Sequence, residues 1–401
     1  MRDLWLLPAG MEDLVAADAM RLERLRRVLI DHYHRRGYDL VFPPMVEHLD
    51  SLLEPGGEDL EIETFKLIDH ASGRQLGVRA DMTPQIARID AHVFKGTGPA
   101  RLCYAGPVLR ARTRQDFESR EQYQVGAELY GSYSAGADVE IVELMMDSVS
   151  LCGFSRPQLD IGHVGIFRAL ARKAGVDTAA EADLFDALQR KSIPDPEAIV
   201  GALSLPAPIG DALVALPGLH GPVAELDAAL EHVCRVGPET GEAVANLREV
   251  VGALQGGRGR FDIYFDLSEL RGYHYHTGVV FAALVAGHGR EIARGGRYDD
   301  AGAVFGRARA ATGFSLDLRR VIRLAGTDHG PANGCIFAPA QGRGLDEAVR
   351  RLREQGERVV CALDDNGARP PPCCDRRLVG DGATWRVEPI ATTDDAAVPS
   401  R

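Results

Sequence analysis

Two apolar runs, ARLCYAGPVLRA and YQVGAELYG, are separated only by a highly charged link from Arg112 to Glu121. Segments of this length and composition joined across a short polar link read as neighbouring strands of a mostly antiparallel sheet. The link itself should be mobile.

The flanking segments fall into place around that pair. Met20 to Arg36 carries Leu22, Leu25, Val28, Leu29 and Tyr33 at helical spacing with arginines opposite, and the helix should stop at Gly37. YDLVFPPMVEH reads as a short strand ended by a proline pair. FKLIDHASGRQLGVRADMTPQIARI reads as a strand, a turn at Ser72-Gly73, a second strand, and a helix beginning after Thr83 with Pro84 in its first position. From about Phe167 to Val251 the pattern is helical, interrupted by IPDP and PAPIGD, and predicts a helical insertion. Strands resume at FDIYFDL. REIARGGRYDDAGAVFG predicts a strand, a tight glycine turn at Gly295 to Arg297 and a bend, and ATGFSLDLRR leads into a helix. Beyond Pro331, GCIFAPA, LDEAVRRLREQG and ERVVCAL predict a small β-α-β unit, with a poorly ordered stretch at RPPPCC. The expected fold class is α+β, with a large domain over residues 1–325 and a small α/β unit over 326–401. No internal repeat is present.

The 401 residues carry 46 basic and 58 acidic side chains, a net charge of −12, so the chain lacks the broad positive field of a dedicated nucleic-acid binder. Its seven cysteines are odd in number and form no CxxC pair, which argues against a disulfide framework and a structural zinc site and fits a reducing cytoplasm. The N-terminus lacks the long apolar centre of a signal peptide, and Val279 to Gly287, the longest later apolar run, is too short to span a bilayer.

Arginine grips phosphates and carboxylates through a planar fork of donors, and Arg79, Arg110, Arg271, Arg297 and Arg320 stand beside glycines or motif starts. For any one of them a surface ion pair is the plainer reading. ELRGYHYHTGVVF is the oddest stretch. His274 and His276, two apart on a strand, would share a face and could offer two metal ligands, but nothing nearby offers a third, so a hydrogen-bonded structural pair is favoured and no metal is expected. Strict alternation also sets Arg271 with Tyr273 and Tyr275, opposite the histidines, unless Arg271-Gly272 lies in a bend.

RADMTPQIAR, VLRARTRQDFESREQYQVGAE, ELRGYHYHTGVVF and ARGGRYDDAGAVFG with ATGFSLDLRR together resemble the ordered motifs of the class II histidyl-tRNA synthetase catalytic domain, over roughly residues 5 to 325. GYDLVFPPMVE is similar to the class II dimerisation motif, with Pro44 and Glu47 at its marked positions. The resemblance implies an antiparallel sheet flanked by helices, a grip on the ATP α-phosphate by Arg110, and one on the γ-phosphate by Arg320. It implies a histidine pocket in which Asp81, Thr83 and Gln124 read the α-amino group and Glu128 the imidazole. In that pocket Arg271 is the signature arginine, and Tyr275 and His276 replace a tyrosine pair. The departures are as informative. Arg112 stands where a glutamate accepts a hydrogen bond from the adenine amino group, and two facing donors cost about 1–3 kcal/mol each when buried. Arg319 replaces a second glutamate, RQDFESR replaces the usual loop, and the tail does not resemble an anticodon-binding domain.

A synthetase-like fold with a kept histidine pocket and an altered adenine site is similar to the ATP phosphoribosyltransferase regulatory subunit family. That resemblance implies a subunit with no catalytic residues, no cofactor, no tRNA and no membrane. Such a subunit forms a homodimer through the class II interface, pairs with a short-form catalytic subunit in a hetero-octamer, activates the first step of histidine biosynthesis and confers feedback inhibition by histidine. An active histidyl-tRNA synthetase and a synthetase-like protein serving another partner are the competing readings.

Overall fold

The two apolar runs form the strands Ala100–Leu109 and Glu121–Tyr130, paired antiparallel from Ala100 opposite Tyr130 to Leu109 opposite Glu121. The computed structural model describes residues 5–53, 57–94, 96, 98–112, 119–192, 194–203, 205–256, 260–299, 301–325, 334–364, 369–380 and 384–390. Most of the charged link, 113–118, lies outside the described residues. The strands are largely apolar in their inner stretches because both their faces are covered there. Val125, Ala127 and Leu129 enter the main core with residues of the helices Ala16–Arg35 and Ala135–Leu151. Leu102, Tyr104, Val108 and Tyr130 face the other way, into a second cluster with Met82 and Ile86.

Nine strands form the main sheet in the order Asp39–Leu40, Ala100–Leu109, Glu121–Tyr130, Ala311–Asp317, Ala293–Arg297, Val279–Leu284, Gln158–His163, Asp262–Asp266, His220–Pro222. All neighbours are antiparallel except the first pair and the pair Gln158–His163 with Asp262–Asp266. Val46–His48, Gln75–Val78 and Phe65–Ile68 make a separate three-stranded sheet. Its turn is tied by Asp69, whose carboxylate accepts from Ala71 N at 3.0 Å and Ser72 Oγ at 2.5 Å. The helix Thr83–His92 follows with Pro84 in its first turn, where no backbone donor is lost. The first helix ends at Arg35, and Gly37 takes the left-handed φ of +84°.

The helical region expected over about 167–251 runs from Val164–Ala174 to Pro238–Gln255, and the latter packs on Ala135–Leu151 and on strand Gln158–His163. Several other expectations are corrected. The prolines of IPDP and PAPIGD start helices there: Pro194 is the first residue of Pro194–Leu203 and Pro206 caps Ala207–Ala215. Gly295 to Arg297 is no turn but part of the strand Ala293–Arg297, hydrogen-bonded on both sides. Its glycines meet a need for space: a Cβ on Gly295 would lie 2.1 Å from the Gly313 carbonyl oxygen, and one on Gly296 2.6 Å from His276 Cδ2. The tyrosine-histidine stretch is a bend, with Gly272 at φ +69°, and the strand begins only at Val279.

By contacts the chain divides into Met1–Ala325 and Gly326–Arg401. The second unit has four strands, in the order Val359–Cys361, Cys335–Ala338, Cys374–Gly380, Trp385–Pro389, with the helix Leu345–Glu354. RPPPCC is not a poorly ordered stretch: it closes a turn, with Cys374 N donating to the Pro371 carbonyl at 2.9 Å, and opens the third strand. Cys335 and Cys374 form a disulfide, against the expectation from cysteine counting. A pair 39 residues apart carries no spacing signature; strand pairing alone makes them neighbours. No helix among the described residues is long and apolar enough to cross a membrane.

Candidate functional site

A cavity of about 210 Å³ opens on the second face of the main sheet. Its floor comes from neighbouring strands, through Glu128, Gly313, Gly295 and Phe281, and its wall from the start of Thr83–His92 and the bend Arg271–His276. Alternation along Glu121–Tyr130 sends Gln124 and Glu128 to the cavity side while Val125, Ala127 and Leu129 enter the helical core.

Glu128 is 1 % exposed and lies opposite Gly313, where a Cβ would fall 1.5 Å from Glu128 Oε2. Three hydroxyls hold its carboxyl. Thr83 Oγ1 donates to Oε1 at 3.1 Å, Tyr104 OH to Oε1 at 2.9 Å, and Tyr298 OH to Oε2. Burial pushes the Glu128 carboxyl up to about 8 in spite of these bonds. The three hydroxyls offset only part of the cost of taking the carboxylate out of water, and burial is the larger effect. Tyr275 stacks on Tyr298 with ring centroids 5.0 Å apart, and its buried hydroxyl has no hydrogen-bond partner among the described residues.

Next to this end, Asp81 Oδ1 accepts from Thr83 N at 2.8 Å and from Gln124 Nε2 at 3.2 Å, while Gln124 Oε1 accepts from Met82 N at 2.9 Å. Asp81, Thr83, Gln124 and Glu128 are thus one hydrogen-bonded set.

The other end is paired within itself. Arg271 donates to both Glu269 oxygens, at 2.6–2.9 Å, and reaches Glu291 at 2.8 Å. Burial pushes Glu291 up, but Arg271, its backbone hydrogen bond, Arg294 and Arg320 together overcome it and leave the carboxyl low. Behind them, burial and then the charges of Asp266 and Glu269 push Asp160 up to about 6. Asp160, Asp266 and Glu269 lie close enough to hold a cation, but Lys191 pairs with Asp266 and Arg271 with Glu269. Arg110 lines the cavity, with its Nε 3.4 Å from Glu63.

The remaining singled-out residues are placed as follows. Arg79 and Arg297 are structural: Arg79 donates to the Pro43 and Pro107 carbonyls, and Arg297 pairs with Asp138 and Asp299. Arg320 does not line the cavity and acts on Glu291 only through its charge. Arg112 is exposed, and Arg319 pairs with Glu121 at 2.9 Å. His276 lines the cavity, and burial lowers its imidazole to about 4, so it is neutral at pH 7. His274 is exposed against Phe185, so the two histidines do not form a ligand pair. Arg168 fixes the bend, donating to the Tyr273 and His276 carbonyls at 2.7 and 2.9 Å. Sequence reasoning missed Tyr104, Tyr298, Glu269 and Glu291. Only Tyr104 had a signal, its place in the alternation with Leu102 and Val108.

A sheet of this order, with an amino-acid-sized cavity under the start of Thr83–His92, defines a protein of the class II histidyl-tRNA synthetase type. Residues 10–321 match the family model described as histidyl-tRNA synthetase, and 333–388 match that of the ATP phosphoribosyltransferase subunit HisZ C-terminal domain. The chain is 47% identical over 392 residues to the ATP phosphoribosyltransferase regulatory subunit of Pseudomonas paraeruginosa, covering 97% of this chain and 99% of the relative. It is 50% identical over 386 residues to that of Thioalkalivibrio sulfidiphilus, covering 96% and 98%. A crystal structure from Bacillus halodurans, titled an ATP phosphoribosyltransferase regulatory subunit/histidyl-tRNA synthetase, superposes with a TM-score of 0.81 at 26% identity, covering 92% of this chain and 95% of that one. The histidyl-tRNA synthetase of Nostoc shares the fold, with a TM-score of 0.76 at 17% identity and coverage of 94% and 91%. The chain belongs to the ATP phosphoribosyltransferase regulatory subunit family.

Proposed function

We propose that the chain is the regulatory subunit of ATP phosphoribosyltransferase in histidine biosynthesis, without catalysis of its own, and that histidine bound in the cavity is its effector. The observation that carries the ligand reading is the Tyr275 hydroxyl, buried and without a partner in the wall beside Glu128. An unmade hydrogen bond of this kind costs about 1–3 kcal/mol. A neutral imidazole offers one donor and one acceptor, a match to a carboxyl group and a hydroxyl in one wall. Asp81 is the acceptor for the ammonium group, with Thr83 and Gln124 holding it in place.

The mouth supports the non-catalytic half of the reading. Arg271 is committed to two carboxylates, and Arg112 offers no acceptor to an adenine amino group. Arg110, which lines the cavity, is the residue left there for an anionic group, whereas Arg320 stands outside it. Regulation then follows from linkage: histidine inhibits because it binds one state of the assembly better than the other. The assembly is a cytoplasmic hetero-octamer with the short-form catalytic subunit. Its regulatory chains pair through the Pro44–Glu47 motif, where Phe42 is 72 % exposed and Glu47 is anchored by Gln85 and Arg88.

The test is the rate of condensation of ATP with phosphoribosyl diphosphate by a purified short-form catalytic subunit, alone, with this chain, and with histidine added. Activation that histidine reverses supports the proposal. Absence of activation with a matched partner sinks it, and histidine-dependent ATP–pyrophosphate exchange by the isolated chain would establish a synthetase instead.

A further inference from the structure

The small C-terminal unit contains a sulfur cluster that this function does not use. Cys335 opens the strand Cys335–Ala338 and is fully buried; Cys374 opens Cys374–Gly380 directly opposite and is bonded to it. A third cysteine, Cys373, is exposed, and its Sγ lies 3.3 Å from that of Cys335. The main chain sets this contact. Cys335 N donates to the Cys373 carbonyl at 3.0 Å, and the turn from Pro371 to Cys374 includes the last two of three consecutive prolines, whose rings fix φ. The strand register breaks at the same place. Cys335 faces Cys374 but Ile336 faces Arg376, so Asp375 is the extra residue of a bulge. A bulge beside the pair gives the chain the slack of one residue that a change of partner requires.

We propose that Cys335, Cys373 and Cys374 form a thiol–disulfide exchange site for low-molecular-weight thiols of the glutathione class. In the internal step the Cys373 thiolate attacks Cys335 Sγ; the Cys335–Cys373 bond forms, the Cys335–Cys374 bond breaks, and Cys374 leaves as a thiolate. The number of disulfides is unchanged and no oxidant is consumed. The step moves the disulfide from a buried and a half-buried sulfur to one that includes an exposed sulfur. A thiolate from solution then attacks Cys373 Sγ, forming a mixed disulfide there and releasing Cys335 as a thiolate. A second thiol removes the adduct as its own disulfide and leaves all three cysteines reduced. Access, the factor that limits attack on a disulfide with a buried sulfur, is supplied by Cys373.

The experiment incubates the full-length chain in a series of reduced and oxidised glutathione mixtures, quenches with acid, alkylates the free thiols and maps the bonds by mass spectrometry. The expected result is both Cys335–Cys374 and Cys335–Cys373 pairings, with the glutathione adduct on Cys373. In Cys373→Ser the adduct disappears and reduction slows by about tenfold or more, since access then rests on the half-buried sulfur alone. Cys361→Ser behaves as the parent does. One fixed pairing in the parent, together with equal reduction rates in parent and Cys373→Ser, would overturn the proposal. Three unbridged thiols throughout the series, or stoichiometric zinc retained on the thiols through gel filtration, would also overturn it. The bond map is made on the unsubstituted chain, so it decides the matter even if a variant fails to fold.

Discussion

The two ends of the cavity are built on opposite principles. At the Glu128 end one carboxyl is enclosed by three hydroxyls, and one hydroxyl, that of Tyr275, is left over. At the other end, charges have cancelled one another: Arg271 is paired with Glu269 and Glu291. An end with unmet hydrogen-bonding capacity is ready for a neutral, directional ligand. An end whose charges are already paired offers little new stabilisation to a phosphate chain, since a ligand there must first displace an existing partner. On the proposed function, the contrast is how one scaffold recognises a small molecule without activating it.

The strongest attack on that contrast is Glu128→Gln. At neutral pH this buried carboxyl is mostly uncharged, and exchanging it for an amide that leaves a buried partner unsatisfied costs about 1–3 kcal/mol in binding, so calorimetry on the assembled complex should show a histidine Kd weaker by about fivefold or more. A change below threefold would mean that the enclosed end does not read the ligand. The same variant tests the electrostatics. The Glu128 carboxyl is raised from 4.5 to about 8, so its contribution to stability is intact below pH 4.5 and lost as pH rises through 8. The parent's Tm should fall across that window, and Glu128→Gln should flatten the fall.

Arg271→Ala breaks the opposite end. It leaves Glu269 and Glu291 without their shared cation, and because Arg271 is 37% exposed the loss in stability is about 1–2 kcal/mol after solvent screening. Urea titration should show the loss at pH 7.5 and a smaller one once the pH falls below the lowered range of the Glu291 carboxyl. A smaller effect, with a split sign, is expected for Tyr275→Phe. The unbound chain loses no hydrogen bond and keeps its Tm, whereas histidine binds more weakly by about 0.5–1.5 kcal/mol. Equal losses in both measurements would make the hydroxyl merely structural. The smallest expected effect is none: Arg112→Glu restores an acceptor but leaves the mouth paired, so ATP–pyrophosphate exchange should stay at background.

What was legible in the sequence is what repeats locally. The period of two along YQVGAELYG put Gln124 and Glu128 on one face and Val125, Ala127 and Leu129 on the other, and Gly37 marked a helix end through its backbone freedom. What was not legible depends on strand order. Tyr298 reaches Glu128 across 170 positions, and Glu291 meets Arg271 only because the neighbouring strands turn back together. The Gly295–Gly296 pair misled for a related reason. Locally it looks like a turn, but it is required by the Gly313 carbonyl of the neighbouring strand and the His276 ring, neither of which is local. The tyrosine-histidine stretch misled through its alternation, which a bend at Gly272 overrides.

The bare backbone at Gly313 has a practical consequence. A single methyl group there would fall 1.5 Å from Glu128 Oε2 and 2.8 Å from the Ala127 carbonyl oxygen, so the carboxyl and the paired strand must both give way. On the proposed function, such a chain that still folds and assembles with a catalytic partner would be a deaf subunit, unable to hear the end product. Mixed into octamers in graded proportion with the parent, it would count how many listening subunits one assembly needs before it falls silent.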